Sequence, residues 1–330
     1  MKKRVKQNSL DFRENVSLAR YTSFNIGGPA KYFVEVKTDQ EIARALDGAQ
    51  QMKIPYFILG GGTNLLISDK GFEGLVIRIS NGYSSFDGVS GKCGAGISLQ
   101  KFVDDSASRG FSGLESMAGI GGTVGGAIRG NAGAFGQSIE GVIKKVYAIV
   151  GGAIKEFSHD ECEFKYRDSV FKREKIIITS AEFEFKEGDA KHLQARVQEI
   201  ISIRNTRYNE DWQCAGCVFK NVDLQTVKVD EKKVIKALDI TEEEYREATK
   251  HKKLPVSFIV DKLGLKGKKM GGAQIAQEHG AFIINIGGAK AEDVVMLMLY
   301  IKTKARNLLG IQLEPEIELI GFLIPVRFPS

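Results

Sequence analysis

Sulfur, guanidinium and carboxylate groups that could donate protons or bind anions stand at a few places in the chain. Two residues separate Cys214 from Cys217, a spacing typical of redox dithiols and of half a zinc site. A zinc site needs a second pair of ligands, whereas Cys93 and Cys162 stand alone and the four histidines are scattered. A strand-like stretch beginning at Val218 follows the second cysteine, where a redox dithiol usually has a helix. The spacing leaves redox and metal roles open without favouring them, and we predict no metal.

Two polar segments interrupt apolar runs, and each taken alone is typical of a surface turn or an ion pair. They are Tyr166-Arg167-Asp168-Ser169 and Glu314-Pro315-Glu316. A cluster of lysines, namely Lys262, Lys266, Lys268 and Lys269, surrounds two glycines. Glycines among lysines favour a loop that wraps an anion, with a solvated surface as the alternative. No aromatic residues interleave with these lysines, which argues against single-stranded nucleic acid as a ligand.

Glycine is in excess, and its distribution is uneven. The chain has 37 glycines among 330 residues but only 6 prolines and no Gly-X-Y repeat, which excludes collagen and low-complexity chains. Three glycines form Gly60-Gly61-Gly62 after a short apolar strand, and eleven more fall within 110–141. Consecutive N–H groups in a triple-glycine turn can bind a phosphate, and a plain tight turn is the alternative.

The longer glycine-rich segment lacks the lysine of a P-loop and fits a Rossmann fingerprint only loosely. Gly119 and Gly121 are present, but the third glycine comes late, and a helix rather than a strand precedes them. Nine glycines between Gly113 and Gly136 favour a backbone that approaches a large ligand closely, with dense turn packing as the alternative.

Composition bounds the class of protein. The chain is 43% hydrophobic and 27% charged, as folded globular proteins are, and its length suits about two domains. No apolar run approaches the ~18 residues of a membrane helix. Polar residues follow the basic Met1-Lys2-Lys3-Arg4, so we expect no signal peptide. Four cysteines then favour a reducing compartment, and the net charge of +6 allows anionic metabolites or nucleic acid as partners.

The elements that must position these groups can be predicted from hydrophobic periodicity. Strands at 32–36, 56–59 and 75–79, with a helix capped by Thr38 between the first two, predict an α/β opening. The later predicted elements are a helix ending at Gly110, strands at 142–150 and 175–185, a helix at 193–204, a helix capped by Thr241, a strand at 282–285, a helix at 291–308 and an extended segment at 311–322. The candidate domain boundary lies between 204 and the polar stretch 205–213.

Seven motifs in order resemble those of the UDP-N-acetylenolpyruvoylglucosamine reductases, flavoenzymes that complete UDP-N-acetylmuramate in peptidoglycan synthesis. The resemblance covers nearly the whole chain, from about Arg20 to Gly321. Its motifs are Tyr21-Thr22-Ser23-Phe24-Asn25-Ile26-Gly27-Gly28-Pro29-Ala30, the triple glycine through Asn64-Leu65-Leu66, the segment 119–136, Tyr166-Arg167-Asp168-Ser169, Gly216-Cys217-Val218-Phe219-Lys220-Asn221, Gly271-Gly272-Ala273 and Leu313-Glu314-Pro315-Glu316. Each motif alone has little specificity, but seven in the family's order are specific.

The resemblance implies an α+β fold. An FAD-binding domain of the vanillyl-alcohol-oxidase (PCMH) type would occupy 1–204, in two α/β subdomains at about 1–80 and 81–204. An α+β substrate-binding domain would follow at 205–330, and its segment 311–322 would carry Glu316 back to the flavin.

The resemblance also assigns ligand-binding residues. Backbone N–H groups of the two glycine-rich segments would hold the FAD pyrophosphate, and 119–136 would also lie near the isoalloxazine ring. The cofactor-binding residues would be Gly60, Gly61, Gly62, Thr63, Asn64, Leu65, Gly119, Gly121, Gly122, Thr123, Gly125, Gly126, Ala127, Asn131 and Gly133. The lysine-rich segment would suit the UDP diphosphate. The substrate-binding residues would be Arg204, Arg207, Lys220, Asn221, Lys266 and Gln274.

The implied chemistry has two halves. NADPH reduces FAD, and the flavin N5 then delivers a hydride to C3 of the enolpyruvyl group. Arg167 matches the family arginine that stabilises the developing enolate-like charge, and Glu316 would assist the same centre. Most members carry serine where Cys217 stands, and we interpret Cys217 as the general acid that protonates C2. A thiol, with a pKa of about 8.5, is a far better acid than an alcohol, and Cys214 becomes an incidental neighbour.

Two further departures concern loops. Gly121 and Val222 stand where the family usually has proline. Phe171 and Lys172 lead quickly into the predicted strand 175–185, which leaves little room for the tyrosine-bearing substrate loop of one subtype. The chain therefore resembles the short-loop subtype.

We predict a cytoplasmic, monomeric UDP-N-acetylmuramate dehydrogenase (NADP+) that contains FAD, uses NADPH and has no nucleic-acid or membrane partner. Another FAD oxidoreductase of the same fold is one alternative, but an oxidase would have no reason to retain Arg167, Cys217 and Glu316 together. A non-enzymatic binder of anionic ligands is the other, and it rests only on the net charge and the lysine cluster.

Overall fold

The computed structural model describes residues 4–7, 10–207, 209 and 211–322, with side chains from residue 10 onwards except that of Arg207. The basic start at 1–3 lies outside the described residues, and so does the side chain of Arg207, a predicted substrate contact. Within the described ranges, no helix is long and apolar enough to cross a membrane.

The chain combines helices with strands that pair mostly antiparallel, and several strands often follow one another without a helix between them, as in an α+β fold. The helices are α1 (Asp39–Gln51), α2 (Leu99–Ala107), α3 (Val124–Arg129), α4 (Val170–Arg173), α5 (Ala190–Arg207), α6 (Glu231–Leu238), α7 (Glu242–Thr249), α8 (Val256–Lys262) and α9 (Ala291–Leu309). The strands are β1 (Arg4–Gln7), β2 (Leu10–Ser17), β3 (Pro29–Val36), β4 (Tyr56–Leu59), β5 (Leu65–Ile67), β6 (Phe72–Ile79), β7 (Ser84–Asp87), β8 (Ser90–Gly94), β9 (Phe111–Ser112), β10 (Gly133–Ala134), β11 (Gln137–Ser138), β12 (Ile143–Val150), β13 (Ala153–Ser158), β14 (Ile177–Glu184), β15 (Lys186–Glu187), β16 (Val222–Asp223), β17 (Lys253–Leu254), β18 (Lys269–Met270), β19 (Ala273–Ile275), β20 (Ile283–Asn285) and β21 (Glu318–Ile320).

The first of two compact units comprises, of the described residues, 4–7, 10–16, 30–62 and 73–206. It contains two five-stranded sheets, in the orders β1-β2-β3-β6-β4 and β13-β12-β14-β8-β7. The strands β4 and β6 pair in parallel, whereas all pairs in the second sheet are antiparallel. Phe12, Phe102 and Phe183 are fully buried in the core of this unit. Because Phe102 of α2 contacts Phe183 of β14, the second sheet and α2 share one aromatic cluster.

In α1, the local sequence determines where the helix begins and which of its faces is buried. Thr38 accepts a hydrogen bond from the Glu41 N–H at 3.2 Å, which is the predicted N-cap. Ile42, Ala45 and Ala49 lie on one face and are fully buried, as their spacing predicted.

Several elements of this unit were missing from the sequence prediction, among them β2, β7, β8, α3 and β13. After β12 the chain turns back through Gly151 and Gly152 into β13, which pairs with β12 over six residues. Both glycines have positive φ, 58° and 87°, the backbone of a two-residue hairpin turn that matches strand twist. The Gly-Gly pair was the available signal, but the exposed residues of β13 gave no hydrophobic alternation.

The second compact unit comprises, of the described residues, 17–29, 63–72, 207, 209 and 211–322. Its core surrounds α9, whose Val294, Met298, Ile301 and Ala305 are fully buried as predicted. The antiparallel sheet β18-β19-β20 belongs to the same unit as α9. In this unit β5 also pairs in parallel with β21.

Two short N-terminal segments therefore belong with the C-terminal part of the chain. Phe24 and Leu66 are fully buried in the second core, and β5 has its sheet partner in β21. A single cut near 204 does not describe this grouping, because apolar burial and strand pairing join residues that are far apart in sequence. The assignment of cofactor to 1–204 and substrate to 205–330 stays a prediction.

Candidate active site

The two glycine-rich segments lie against each other in the first unit. A Cβ added to Gly61 would stand 2.6 Å from the Cα of Gly122, and one added to Gly60 would stand 2.7 Å from Oγ1 of Thr123. Two backbones approach this closely only where a side chain is absent. The structure thus brings together four of the predicted cofactor-binding residues.

The longer segment is anchored on the stretch that precedes α2. The Val124 N–H donates to the Ile97 carbonyl at 3.0 Å, and the Gly125 N–H donates to the Ala95 carbonyl at 2.8 Å. These bonds hold the start of α3 in place. The predicted residues of this segment lie as follows: Gly119, Gly121, Gly122 and Thr123 before α3, Gly125, Gly126 and Ala127 within it, and Asn131 and Gly133 after it.

Two polar side chains within 116–131 are buried. Each has one atom that makes no hydrogen bond within the described residues. They are Ser116, through its Oγ, and Asn131, through its Oδ1. The amide group of Asn131 donates to the Lys165 carbonyl at 3.0 Å, so the side chain is oriented. An unsatisfied buried polar atom costs about 1–3 kcal/mol. A polar ligand beside the glycine-rich stretch would remove that cost.

Arg167 lies at the tip of a tight hairpin in the same unit. Lys165 and Asp168 exchange backbone hydrogen bonds of 3.0 and 3.1 Å, and Arg167 between them has a φ of 56°. This left-handed conformation is strained for a side chain other than glycine, and such strain concentrates at functional sites. The guanidinium donates to the Gly133 carbonyl at 2.8 Å and lies 3.5 Å from the Asn131 carbonyl. The structure therefore brings the predicted catalytic arginine to the glycine-rich segment.

Arg204, a predicted substrate contact, also touches this segment. A Cβ on Gly119, whose φ is 74°, would stand 2.6 Å from Cδ of Arg204. The guanidinium centre lies 5.5 Å from the ring centroid of Phe135, which is 46% exposed. The Gly119 N–H donates to the side-chain oxygen of Gln100 at 2.6 Å.

Cys217 and Glu316 lie on backbone segments of the second unit that are hydrogen-bonded to each other. Cys217 forms a bridge with Phe282, and the next residue, Val218, donates its N–H to the Ala281 carbonyl at 2.9 Å. The Val218 carbonyl accepts from the Glu316 N–H at 2.9 Å. The short stretch after Cys217 is therefore paired on both sides. The structure brings the predicted general acid and the predicted carboxylate onto adjacent backbone segments.

The residues after the triple glycine belong to this second unit. The side-chain amide of Asn64 donates to the Glu316 carbonyl at 3.1 Å, and the Asn64 carbonyl accepts from the Glu318 N–H at 3.0 Å. Leu65 begins β5, directly after Thr63 and Asn64. The contacts that Asn64 makes here are with the carboxylate-bearing segment, although it was predicted to bind the cofactor.

The remaining predicted substrate contacts have partners within the second unit. Lys220 forms an ion pair with Glu314 at 3.3 Å, and Lys266 forms one with Asp261 at 2.6 Å. The Asn221 side chain accepts from the N–H of the first residue of α8 at 3.1 Å. Gln274 donates to the Gly267 carbonyl at 3.1 Å, which places it in the lysine-rich region with Lys266.

Cys214 and Cys217 form no disulfide bond. Burial raises the pKa of the Cys214 thiol, and the hydrogen bond from the Gly216 N–H lowers it by less. In the part of the chain that the structure describes, no group of three or more His, Cys, Asp or Glu residues is arranged to hold a metal ion.

Several residues that position the site were not singled out from the sequence. Ser169 is fully buried and donates its hydroxyl to the Arg129 carbonyl at 2.7 Å, which ties the Arg167 hairpin to the end of α3. Arg173 forms ion pairs with Asp168 and Glu163 around the same hairpin. The signal for Ser169 and Asp168 was their place in the polar motif, whereas nothing local indicated Ser116 or Gln100.

These features fit a large, polar, anionic cofactor held by backbone. Comparison with family models gives its identity, because an "FAD binding domain" model matches residues 30–168. A model of the C-terminal domain of UDP-N-acetylenolpyruvoylglucosamine reductase matches residues 207–320. The chain is thus an oxidoreductase-type protein with an FAD-binding domain.

Full-length relatives define the family. The chain is 35% identical to the UDP-N-acetylenolpyruvoylglucosamine reductase of Solibacter usitatus, over 92% of this chain and 95% of the relative. It is 33% identical to that of Anoxybacillus flavithermus, over 94% of each. The crystal structure of the enzyme from Thermus caldophilus matches with a TM-score of 0.73 and 31% identity, covering 94% of this chain and 99% of that one.

The chain belongs to the UDP-N-acetylenolpyruvoylglucosamine reductase family. The predicted fold class is confirmed: an α+β protein whose FAD-binding domain is of the vanillyl-alcohol-oxidase type, followed by the reductase C-terminal domain.

Proposed function

We propose that the chain catalyses the NADPH-dependent reduction of UDP-N-acetylenolpyruvoylglucosamine to UDP-N-acetylmuramate, a step of peptidoglycan precursor synthesis. Relatives named for this activity match the chain over more than nine-tenths of its length. The observation that carries the proposal is the backbone bond between Glu316 and Val218 beside Cys217. That bond sets a carboxyl group and a thiol, two groups able to handle a proton, on adjacent segments.

The glycine-rich backbone and two buried side chains would hold the cofactor. We propose that N–H groups around Gly61 and Gly122 bind the FAD pyrophosphate, because these loops leave no side chain between backbone and ligand. Ser116 and Asn131 would supply hydrogen bonds through atoms that lack a partner among the described residues. When bound, FAD supplies two-electron chemistry between NADPH and the enolpyruvyl group.

Three side chains would handle charge and proton in the substrate. Arg167 would stabilise the negative charge that develops on the enolpyruvyl carboxylate, since a planar guanidinium matches it with two donors. Cys217 would give its proton to C2, and Glu316 would assist at the same centre. The predicted substrate contacts Arg204, Arg207, Lys220, Asn221, Lys266 and Gln274 would bind the remainder of the UDP-sugar.

The experiment that tests this function separates its two halves. We expect purified protein to be yellow, with about one FAD per chain. Under anaerobic conditions, NADPH should bleach the flavin absorbance, and UDP-N-acetylenolpyruvoylglucosamine should restore it with formation of UDP-N-acetylmuramate. A colourless protein that cannot be reconstituted with FAD would contradict the proposal, as would a reduced flavin that this substrate does not reoxidise.

A substitution at the contact of the two glycine loops should weaken FAD binding. In Gly61→Ala, the new Cβ would meet the Gly122 backbone at 2.6 Å, so one loop must move. Overpacking of this kind costs about 1–3 kcal/mol. Since 1.4 kcal/mol is a factor of ten, we expect the dissociation constant of FAD to rise about tenfold or more.

Gly141→Ala is the matched control for this change. A Cβ there meets nothing within 4 Å, so FAD affinity should stay as in the unaltered protein. Both dissociation constants can be measured by flavin fluorescence during titration of the apoprotein. Equal affinities in the two variants would show that the Gly61 contact does not support the cofactor.

We further propose that the protein works as a cytoplasmic monomer without nucleic-acid or membrane partners. The proposed substrates are small anionic molecules, and the net charge of +6 suits their phosphates without a larger partner. Sedimentation of the yellow protein checks the monomer, which a dimer mass would contradict.

A further inference from the structure

The peptide of Glu316 is held from both sides within the second unit. Its N–H donates to the Val218 carbonyl at 2.9 Å, and its carbonyl accepts from the side-chain amide of Asn64 at 3.1 Å. Val218 directly follows Cys217, so the first bond ties Glu316 to the segment of the proposed general acid. The second bond ties it to the residue that directly precedes β5.

Asn64 also starts the pairing that fixes the C-terminal strand. Its carbonyl accepts from the Glu318 N–H at 3.0 Å, and from there β5 and β21 pair in parallel, with Glu318 opposite Leu65 and Ile320 opposite Ile67. The side chain of Asn64 extends this pairing by one more bond, to Glu316, beyond the end of β21. One residue therefore sets both the register of the strand and the orientation of the peptide in front of it.

Pro315, directly in front of Glu316, bridges with Phe219. Pro315 has no N–H to donate, so this part of the backbone must be fixed through carbonyls and through the N–H of Glu316. The Glu314 carbonyl accepts from the Lys220 N–H at 2.9 Å, which holds the other side of the proline. Loss of the Asn64 bond would remove one of these two hydrogen bonds to the Glu316 peptide and so loosen the backbone that carries the carboxyl group.

We propose that Asn64 is a positioning residue for Glu316, a role that rests on the proposed function of Glu316 in the reaction. Asn64 acts through its side-chain N–H on the Glu316 carbonyl and does not need to touch the flavin or the substrate. The family resemblance instead implied that Asn64 binds the cofactor. The two roles predict opposite effects of an Asn64 substitution on FAD affinity.

Three variants of Asn64 test the role. Asn64→Ala removes the donor, Asn64→Asp keeps the shape but sets an oxygen against the Glu316 carbonyl, and Asn64→Gln retains an amide donor. We expect the first two to bind FAD and to be reduced by NADPH within about twofold of the unaltered protein. Their reoxidation by the enolpyruvyl substrate should slow by at least about tenfold, with little change in the substrate's KM. Asn64→Gln should recover part of this rate.

Asn307→Asp is the matched control for the added charge. Asn307 is exposed at the end of α9, and its side-chain oxygen accepts from Nε of Arg306 at 3.4 Å. Both half-reactions should be unchanged in this variant. A loss equal to that of Asn64→Asp would overturn the proposal, because it would show a general effect of charge.

A double-variant cycle with Glu316→Gln separates positioning from general destabilisation. If Asn64 acts through Glu316, adding Asn64→Ala to Glu316→Gln should slow reoxidation no further. Independent, multiplied losses would overturn the role of Asn64 while leaving that of Glu316 intact. If Glu316→Gln alone reoxidises at the normal rate, the proposed function of Glu316 fails, and the role of Asn64 fails with it.

Amide hydrogen exchange provides a readout that does not depend on turnover. In Asn64→Ala we expect several-fold faster exchange in 314–320, with unchanged exchange in the rest of β5 and in α9. Weakened FAD binding by Asn64→Ala, with unaltered exchange in 314–320, would assign Asn64 to the cofactor and overturn the proposal.

Discussion

Cys217→Ala should leave the reduction of flavin by NADPH unchanged and slow its reoxidation by the enolpyruvyl substrate by about 10²–10⁴-fold, the usual contribution of a positioned general acid. The physical reason is that alanine has no proton to give to C2. Stopped-flow absorbance under anaerobic conditions measures both half-reactions in one sample. Cys217→Ser keeps a group that can donate a proton, so it should slow reoxidation less than Cys217→Ala.

Cys214→Ala is the matched control for removal of a thiol. Cys214 lies three residues away in the same loop, and both cysteines are partly buried and form no disulfide. We expect this variant to perform both half-reactions normally. If Cys217→Ala also reoxidised at the normal rate, Cys217 would not be the proton donor. Equal losses in the two variants would point to a damaged loop instead.

Arg167→Ala should slow flavin reoxidation by the substrate by about 10²–10³-fold, the cost typical of removing one group that stabilises developing negative charge. Arg167→Lys should recover only part of this rate, because an ammonium group cannot present two parallel donors to a carboxylate. The measurement is again the second half-reaction, with the rate of flavin reduction as an internal reference.

Arg173→Ala tests whether such a loss reflects only a loosened hairpin. Arg173 forms ion pairs with Asp168 and Glu163 and supports the same turn from outside. Exposed ion pairs of this kind contribute about 0–1 kcal/mol, so we expect a change of less than about fivefold. A loss as large as that of Arg167→Ala would mean that hairpin geometry, rather than the guanidinium of Arg167, limits the reaction.

The local sequence pattern predicted a helix or strand well where a single cap or a single apolar face determines its position. The Thr38 cap, the buried face of α1 and the buried positions of α9 followed from residue type and spacing. The helix predicted at 193–204 is longer, at 190–207, because its exposed ends carry no hydrophobic signal. The strand β13 was missed for the same reason, since most of its residues are exposed.

Some site residues could be identified from the sequence, whereas others could be identified only from tertiary contacts. Residue type alone left Arg167 and Glu316 as candidates for a surface turn or an ion pair, and it did not favour a role for Cys217. The order of motifs gave the family resemblance, and that resemblance assigned all three their proposed chemistry. The buried atoms of Ser116 and Asn131 could not be predicted, since burial of a polar atom depends on what packs around it. The role of Asn64 was likewise hidden, because its contact with Glu316 spans 252 positions.

The sequence by itself determined the chemistry available to this protein: a thiol, a guanidinium, a carboxyl group and two glycine-rich segments in a recognisable order. Only the tertiary structure decided that Gly61 lies on the backbone of Gly122 and that Asn64 holds the Glu316 peptide. The physical reason is that side-chain chemistry is a property of each residue, whereas a close backbone approach or a parallel strand pair exists only between distant segments. The glycine excess is therefore visible in the composition, but the structure shows where the missing side chains are required.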